Sequence, residues 1–235
     1  MSETASQVIW MRTRLAGTGR PPGHSRTEIT AAAVAIADAE GLDAVSMRRV
    51  AAELGTGAAS LYRYIDNRED LVDLMIDATG AEYVYNEPTQ DWLADLLDLG
   101  EQARAIMRRH PWLPSLVLTR PVLGPNGLIL LEHVLEILAR HPASTAAKLE
   151  AFAIFNMATA SFVHNELTGG TARQQRTAAY LHHALATGRH PRLAELLGSP
   201  SQAGSPTVVP DPADRYRDIL AKLLAGLLSP EQPLA

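Results

Sequence analysis

The chain has 235 residues, enough to bury a sizeable core, and its formal net charge of −5 argues against nonspecific coating of nucleic acid. It contains no cysteine, which excludes disulfides, iron–sulfur clusters, thiolate zinc sites and cysteine nucleophiles. No apolar run approaches the ~20 residues that cross a bilayer, and the first residues lack the pattern of a secretion signal, so we expect a soluble, cytoplasmic protein with no membrane partner.

The first 24 residues form a basic segment. Arg12, Arg14, Arg20 and Arg26 lie between residues 10 and 26, where no acidic residue occurs. Residues 1–24 show no hydrophobic period and end in a stretch rich in glycine and proline, which predicts a flexible arm. Arg12 and Arg14 either enter a minor groove of DNA or are simply solvated.

Helical periodicity begins at Ser25, which with Glu28 forms a predicted capping box. An apolar stripe follows, and Gly41 ends this first helix. Ser46 is expected to cap a second helix that Gly55 interrupts. A short third helix is predicted over residues 57–64, and Asn67 is expected to cap a longer fourth helix.

Helical patterns continue beyond Pro88, and no alternating run of strand length is present. The further predicted helices are residues 89–107, a short piece that ends near Arg120, 128–140, 144–167, 173–185 and a last helix that carries Tyr216, Ile219, Leu220, Leu223, Leu224 and Leu227. Residues 199–212 are rich in proline, serine and glycine and should form a loop. The predicted fold class is all-α.

The second and third helices, with the glycine-containing turn between them, have the lengths of a helix-turn-helix, whose second helix enters the major groove of DNA. Small side chains on that helix would let its backbone approach the groove, and three larger side chains offer groups for phosphates or a guanine edge. The small residues are Gly57, Ala58, Ala59 and Ser60, and the larger ones are Tyr62, Arg63 and Tyr64. Alternatively, Tyr64 packs against residues 71–235, which we call the body, and Arg48 and Arg49 form an ordinary solvated face.

Residues 26–72 resemble the DNA-binding domain of the tetracycline-repressor (TetR) family of bacterial regulators. The resemblance rests on Gly41, the run from Val45 to Ala51, Glu53-Leu54-Gly55 in the turn, and Ser60-Leu61-Tyr62 followed by Asn67-Arg68-Glu69-Asp70-Leu71. It implies phosphate contacts from Ser46, Arg48, Tyr62 and Arg68. It also implies that the segment from Thr56 to Ser60, together with Arg63, reads the bases. Because Gly57, Ala58 and Ala59 carry few hydrogen-bonding groups, readout should fall on Arg63, Ser60, Thr56 and Arg48.

The segment after Pro88 resembles a C-terminal regulatory domain of the same family. This resemblance rests on His110-Pro111-Trp112-Leu113, Arg120-Pro121, Gly124-Pro125-Asn126 and a downstream helix with Leu131-Glu132 and Leu135. It implies a helical pocket for a small molecule and a two-fold dimer built from the last long helices. Residues 144–167 carry apolar groups on both faces, as expected of a helix between a core and a partner.

Periodicity turns several aromatic, sulfur-containing and polar side chains toward the interior of the body, where they could line an effector pocket. These candidates are Trp92, Met107, His110, Trp112, His133, Phe152, Asn156 and His164. Each has a plainer explanation, because a core asparagine or a lone helical histidine is more often structural. His182 and His183 are adjacent on a helix and point apart, so we predict neither a metal site nor a cofactor.

Together these features predict a bacterial ligand-responsive transcriptional regulator, most simply a repressor. Residues 25–70 would bind DNA, and residues 71–235 would bind a small organic effector and a second copy of the chain. The homodimer would bind a palindromic double-stranded operator and be released by the effector. An enzyme is disfavoured because no dinucleotide fingerprint, P-loop or nucleophile elbow is present. The alternatives are a helical hydrolase and a protein-binding adaptor, which would lack the steep salt dependence of DNA binding.

Overall fold

The computed structural model describes residues 8–12, 23–120, 122–169, 172–198 and 211–229. All regular structure within these ranges is helical, which confirms the all-α prediction. The α-helices, in chain order, are α1 Arg26–Glu40, α2 Met47–Glu53, α3 Ala58–Leu61, α4 Arg68–Thr79, α5 Trp92–Arg109, α6 Leu113–Thr119, α7 Pro125–Ile137, α8 Thr145–Thr168, α9 Ala172–Ala186, α10 Pro191–Gly198 and α11 Pro212–Leu228. None of these helices has the length and apolarity that a bilayer crossing requires.

The predicted helix caps of the N-terminal part are confirmed. The hydroxyl of Ser25 accepts a hydrogen bond from the backbone N–H of Glu28, whose carboxylate in turn accepts from the N–H of Ser25. Ser46 caps α2 and Asn67 caps α4 through equivalent side-chain contacts. These bonds satisfy backbone N–H groups that would otherwise lack partners and so fix where each helix begins.

The turn between α2 and α3 depends on Gly55, whose φ of +64° lies in the left-handed region. The N–H of Thr56 bonds to the carbonyl of Ala51, and the N–H of Gly55 bonds to that of Ala52, which together form a Schellman motif. The third helix is shorter than predicted: α3 ends at Leu61, and Tyr62 to Tyr64 form a turn. The change of direction places Leu61 inward, where it is completely buried.

Part of the basic arm is packed rather than flexible, contrary to the prediction for that stretch. Ile9 is 1% exposed in the core of residues 25–70, which we call the head, and its carbonyl accepts a hydrogen bond from Arg26. Arg12 bonds to Asp66 at 2.8 Å and Asp70 at 2.5 Å, so it is engaged by the protein itself. The arginines at positions 14 and 20 lie outside the described residues.

Two apolar clusters hold the chain together. The first cluster contains residues of the four helices α1–α4, of α6, of the end of α5 and of the second half of α8. The head and the body therefore share a core. The second lies in the body among α5, α7, the first half of α8 and α11. Within it Thr159 contacts the hydroxyl of Tyr216, which donates to the carbonyl of Gly100 and so joins α8, α11 and α5.

Several helix boundaries of the body differ from the predictions by two or three residues, and one helix was not predicted. α7 begins at Pro125 rather than at residue 128, because proline is tolerated in the first turn, where its missing N–H has no helical partner. α10, over Pro191–Gly198, was not predicted from the sequence. The predicted loop lies almost entirely outside the described residues.

Candidate DNA interface and effector cavity

The exposed face of α2, α3 and the turn that follows α3 carries most of the predicted DNA-binding residues. Arg48, Gly57, Ala59 and Arg63 are exposed, and Tyr62 exposes 51% of its surface. Thr56, Ala58 and Ser60 are partly exposed on the same short segment. Ser46 is exposed as a residue, but its hydroxyl caps α2. The structure thus brings these positions together on one surface that a groove of DNA could meet.

Two side chains of the head, Tyr64 and Arg49, are engaged by other residues of the chain. Tyr64 is only 8% exposed and belongs to the core, which favours the packing interpretation over a phosphate contact. Arg49 pairs with Glu40 and Glu53, each at 2.7 Å. The ring of Tyr64 is packed in the core, and the charge of Arg49 is paired with two carboxylates. Neither residue is therefore a strong candidate for contacting DNA.

Arg68 has a structural role that the sequence did not indicate. Its Nε donates to the carbonyl of Val45 at 2.9 Å, and its Nη2 donates to that of Leu42 at 3.0 Å. The guanidinium therefore satisfies carbonyl groups in the connection between α1 and α2. The side chain is 40% exposed, so the predicted phosphate contact would have to use the remaining N–H groups.

A cavity of about 460 Å³ lies between α4, α5, α6, α7 and α8. Its wall is predominantly apolar, with side chains such as Ile76, Ile106, Leu113, Val117 and Leu130. Three of the predicted effector residues, Met107, Phe152 and Asn156, are part of this wall. The volume and the apolar lining fit a small organic molecule.

Two charged residues of the cavity wall, Asp77 and Arg120, were not among the sequence candidates. The carboxylate of Asp77 accepts hydrogen bonds from the backbone N–H groups of Asn126 and Gly127 and from the amide of Asn126. Burial raises the pKa of Asp77, and these bonds oppose that rise. The carboxylate therefore caps the N-terminus of α7. Arg120-Pro121 is part of the family resemblance, but no sequence pattern singles out Asp77 or shows that the two residues converge on a cavity.

His110 and Trp112 were predicted as pocket residues, and the structure places them at the junction of head and body instead. Nδ1 of His110 lies 2.8 Å from Asp38 in α1, and Nε2 lies 2.6 Å from Glu82. The indole N–H of Trp112 donates to the same oxygen of Asp38 at 2.7 Å. The polar atoms of both rings contact carboxylates from two other segments of the chain. The rings are held at this junction by those contacts and therefore do not face the cavity.

The remaining three effector candidates are also outside the cavity wall. Trp92 packs edge-on against His141 at 4.8 Å between ring centroids. His133 packs edge-on against Tyr85 at 4.9 Å and faces a small groove of about 50 Å³. His164 is exposed on α8. Helical period turned Trp92 and His133 toward the interior without specifying the neighbours that they meet. For His164 the assignment to the interior was wrong, because the residue is exposed.

Comparisons with known proteins bear on both regions. Residues 29–75 match the family model described as bacterial regulatory proteins, tetR family, and residues 86–229 match the tetracyclin repressor-like C-terminal domain. The chain is 34% identical over 202 residues to the HTH-type transcriptional repressor DrrR1 of Streptomyces coeruleorubidus, covering 81% of this chain and 75% of that protein.

Solved structures of ActR from Streptomyces coelicolor have the same arrangement of helices. The apo form superposes with a TM-score of 0.74 at 29% identity, covering 89% of this chain and 98% of that chain. A complex of ActR with actinorhodin gives a TM-score of 0.71 at 30% identity with the same coverage. The likeness extends over both the helix-turn-helix head and the helical body.

Proposed function

The chain belongs to the TetR family of bacterial regulatory proteins and is a transcriptional regulator, and from this premise we propose that it is a repressor whose operator affinity is controlled by a small organic effector. In this proposal residues 25–70 bind double-stranded DNA, and residues 71–235 bind the effector and a second copy of the chain in the cytoplasm. The DNA-binding residues are Ser46, Arg48, Thr56, Gly57, Ala58, Ala59, Ser60, Tyr62 and Arg63.

The observation that carries the proposal is the position of α4. Its first turn supports the connection between α1 and α2 through Arg68, and its last turns supply Ile76, Asp77 and Thr79 to the cavity wall. One helix of 12 residues thus touches both the DNA-reading head and the cavity. In this proposal a ligand that prefers one position of this helix changes the population of heads that fit the operator.

A homodimer is the second part of the proposal. α11 buries Tyr216, Leu220 and Leu224, while Ile219 and Leu223, which flank this buried stripe, remain 36% and 39% exposed. An apolar stripe of this kind on a regular helix is suited to a matching stripe of a second copy. Two-fold pairing would present two heads to the half-sites of a palindrome, one helical turn or a multiple of it apart.

The effector is proposed to be mostly apolar with a few polar groups, because that is the composition of the wall. The matching ActR complexes contain (S)-DNPA and actinorhodin, which shows that a related fold takes organic ligands. Met107, Phe152 and Asn156 are the predicted residues that would contact such a molecule.

Selection of bound duplexes from a random DNA pool, with the full chain, tests the proposal. We expect enrichment of a pseudo-palindrome, with affinity that falls steeply as salt is raised because counterions are released from DNA. Arg48→Ala should weaken binding to every selected sequence, while Arg217→Ala on α11, far along the chain from the head, should not. Failure to enrich any sequence, together with salt-independent binding, would contradict the proposal and favour a protein-binding adaptor.

A further inference from the structure

Arg120 connects the cavity to α4. It caps the C-terminus of α6 and forms part of the cavity wall. Its Nε donates to the carboxylate of Asp73 at 2.6 Å, its Nη1 to the carboxylate of Glu69, and its Nη2 to the carbonyl of Glu69 at 3.2 Å. A single guanidinium therefore holds two acidic side chains in the first half of α4.

The same end of α4 also holds the head. Arg68 lies directly before Glu69, and its guanidinium bonds to the carbonyls of Leu42 and Val45. Arg120 on the body side and Arg68 on the head side thus act on adjacent positions of one helical turn. The Arg120 ion pair with Glu69 therefore lies one residue from the side chain that supports the connection between α1 and α2.

The two charges of the cavity wall, Asp77 and Arg120, are held by different groups. Asp77 receives its hydrogen bonds from the N-terminus of α7, where the backbone dipole also favours a negative charge. Arg120 is the one cation among the described wall residues, and its side chain is 29% exposed. Five N–H groups on a planar guanidinium allow further contacts besides those made to α4.

We propose that the effector carries an anionic group that binds Arg120 and competes with Asp73 and Glu69 for its guanidinium. This inference rests on the proposed function and names the class of effector. Three negative groups around one cation repel each other in a partly buried site, so the bound anion displaces the α4 carboxylates. α4 is then released from α6, and the head loses the position that fits the operator.

Two fluorescent probes that share a ring skeleton allow the test. 8-Anilinonaphthalene-1-sulfonate is anionic, and N-phenyl-1-naphthylamine lacks the sulfonate but keeps the aromatic rings. We expect the full chain to bind the sulfonate about tenfold more tightly than the neutral probe, as a charge-assisted contact implies. Asn156→Trp, which fills the cavity, should weaken both probes and so identify the cavity as their site.

Arg120→Gln should remove the preference for the sulfonate and leave the neutral probe unchanged. Arg109→Gln is the matched control, because Arg109 is an exposed arginine outside the wall that pairs with Glu82. Asp73→Asn should act in the opposite direction, since it frees part of the guanidinium: sulfonate affinity should rise about threefold, and affinity for the selected operator should fall without any ligand. If Arg120→Gln does not fold, this opposite change still decides the question.

The outcomes separate the two proposals. Equal binding of the two probes by the wild-type chain overturns the anionic effector and leaves the repressor function intact. The anionic effector is also overturned if Arg120→Gln keeps the preference for the sulfonate. The same conclusion follows if Asp73→Asn leaves both the sulfonate affinity and the operator affinity unchanged. If neither probe binds, or Asn156→Trp leaves both affinities unchanged, the cavity is not the ligand site and both proposals fail on this point.

Discussion

The indole N–H of Trp112 donates to Oδ1 of Asp38 at 2.7 Å, across the boundary between body and head. His110 approaches the same oxygen at 2.8 Å, and both rings are buried, with 5% of Trp112 and 6% of His110 exposed. One carboxylate of α1 is therefore held by two side chains from the connection between α5 and α6. The orientation of the DNA-reading head depends on this contact as well as on the shared apolar core.

The first prediction concerns this junction. Asp38→Ala should lower the free energy of unfolding by about 1–3 kcal/mol, because it leaves buried donors without an acceptor. Asp38→Asn keeps one acceptor oxygen and should lose less. Urea denaturation of the three proteins measures the difference. Equal stability of Asp38→Ala and wild type would show that the contact does not hold the head.

The second prediction compares two glycines of the helix-turn-helix. Gly55→Ala should destabilise the protein by about 1–2 kcal/mol, because alanine is strained at a φ of +64°. Gly57 has a φ of −84° and open space around its added Cβ, so Gly57→Ala should cost only about 0.5 kcal/mol, because alanine is a poorer N-cap than glycine. Thermal unfolding gives both values. Reduced operator affinity of Gly57→Ala at unchanged stability would place DNA against this backbone.

The third prediction separates positioning contacts from base reading. Tyr62→Phe should weaken binding to all duplexes by a similar factor, because a phosphate contact carries no sequence information. Arg63→Ala should cost roughly 1–3 kcal/mol and relax the preference at one base pair if the contact is bidentate. Tyr64→Phe is the control and should leave DNA affinity unchanged, since the ring is buried. Competition against single-base operator variants measures each effect.

The fourth prediction is a pH dependence at Glu82. Burial raises its pKa, but Arg109 and His110 outweigh burial and hold the pKa below the usual 4.5. The stabilisation is therefore complete above about pH 4.5 and is lost as the pH falls through the lower folded value. The stability difference between wild type and Glu82→Gln should be larger at pH 7 than at pH 3.5. Parallel stability curves would show that Glu82 does not contribute through its charge.

The fifth prediction tests the proposed dimer. Leu223→Glu places a charge in the exposed apolar stripe of α11, so the chain should become monomeric at micromolar concentration and bind the operator more weakly. Lys222→Glu introduces the same side chain at the preceding position, which is highly exposed. This variant should leave the mass of the dimer in solution unchanged. Light scattering reports the mass of each variant. A monomeric wild type, or a dimeric Leu223→Glu variant, would place the interface elsewhere.

The sequence alone determined the helical class, the caps at Ser25, Ser46 and Asn67, and the glycine turn of the helix-turn-helix. These features depend on contacts within three or four residues, which a local pattern contains. The same is true of the exposed reading face, because periodicity separates Leu61 from its exposed neighbour Tyr62.

Only the tertiary structure decided which interior side chains meet a cavity and which meet each other. His110 and its partner Asp38 are 72 positions apart, and Arg120 lies 47 positions from Asp73. Periodicity assigns a side chain to the buried face of its helix, but it does not specify the helix that packs there. Trp92 and His133 were therefore correctly turned inward yet met aromatic neighbours, while Arg120 and Asp77 converged on the cavity because α4, α6 and α7 cross there.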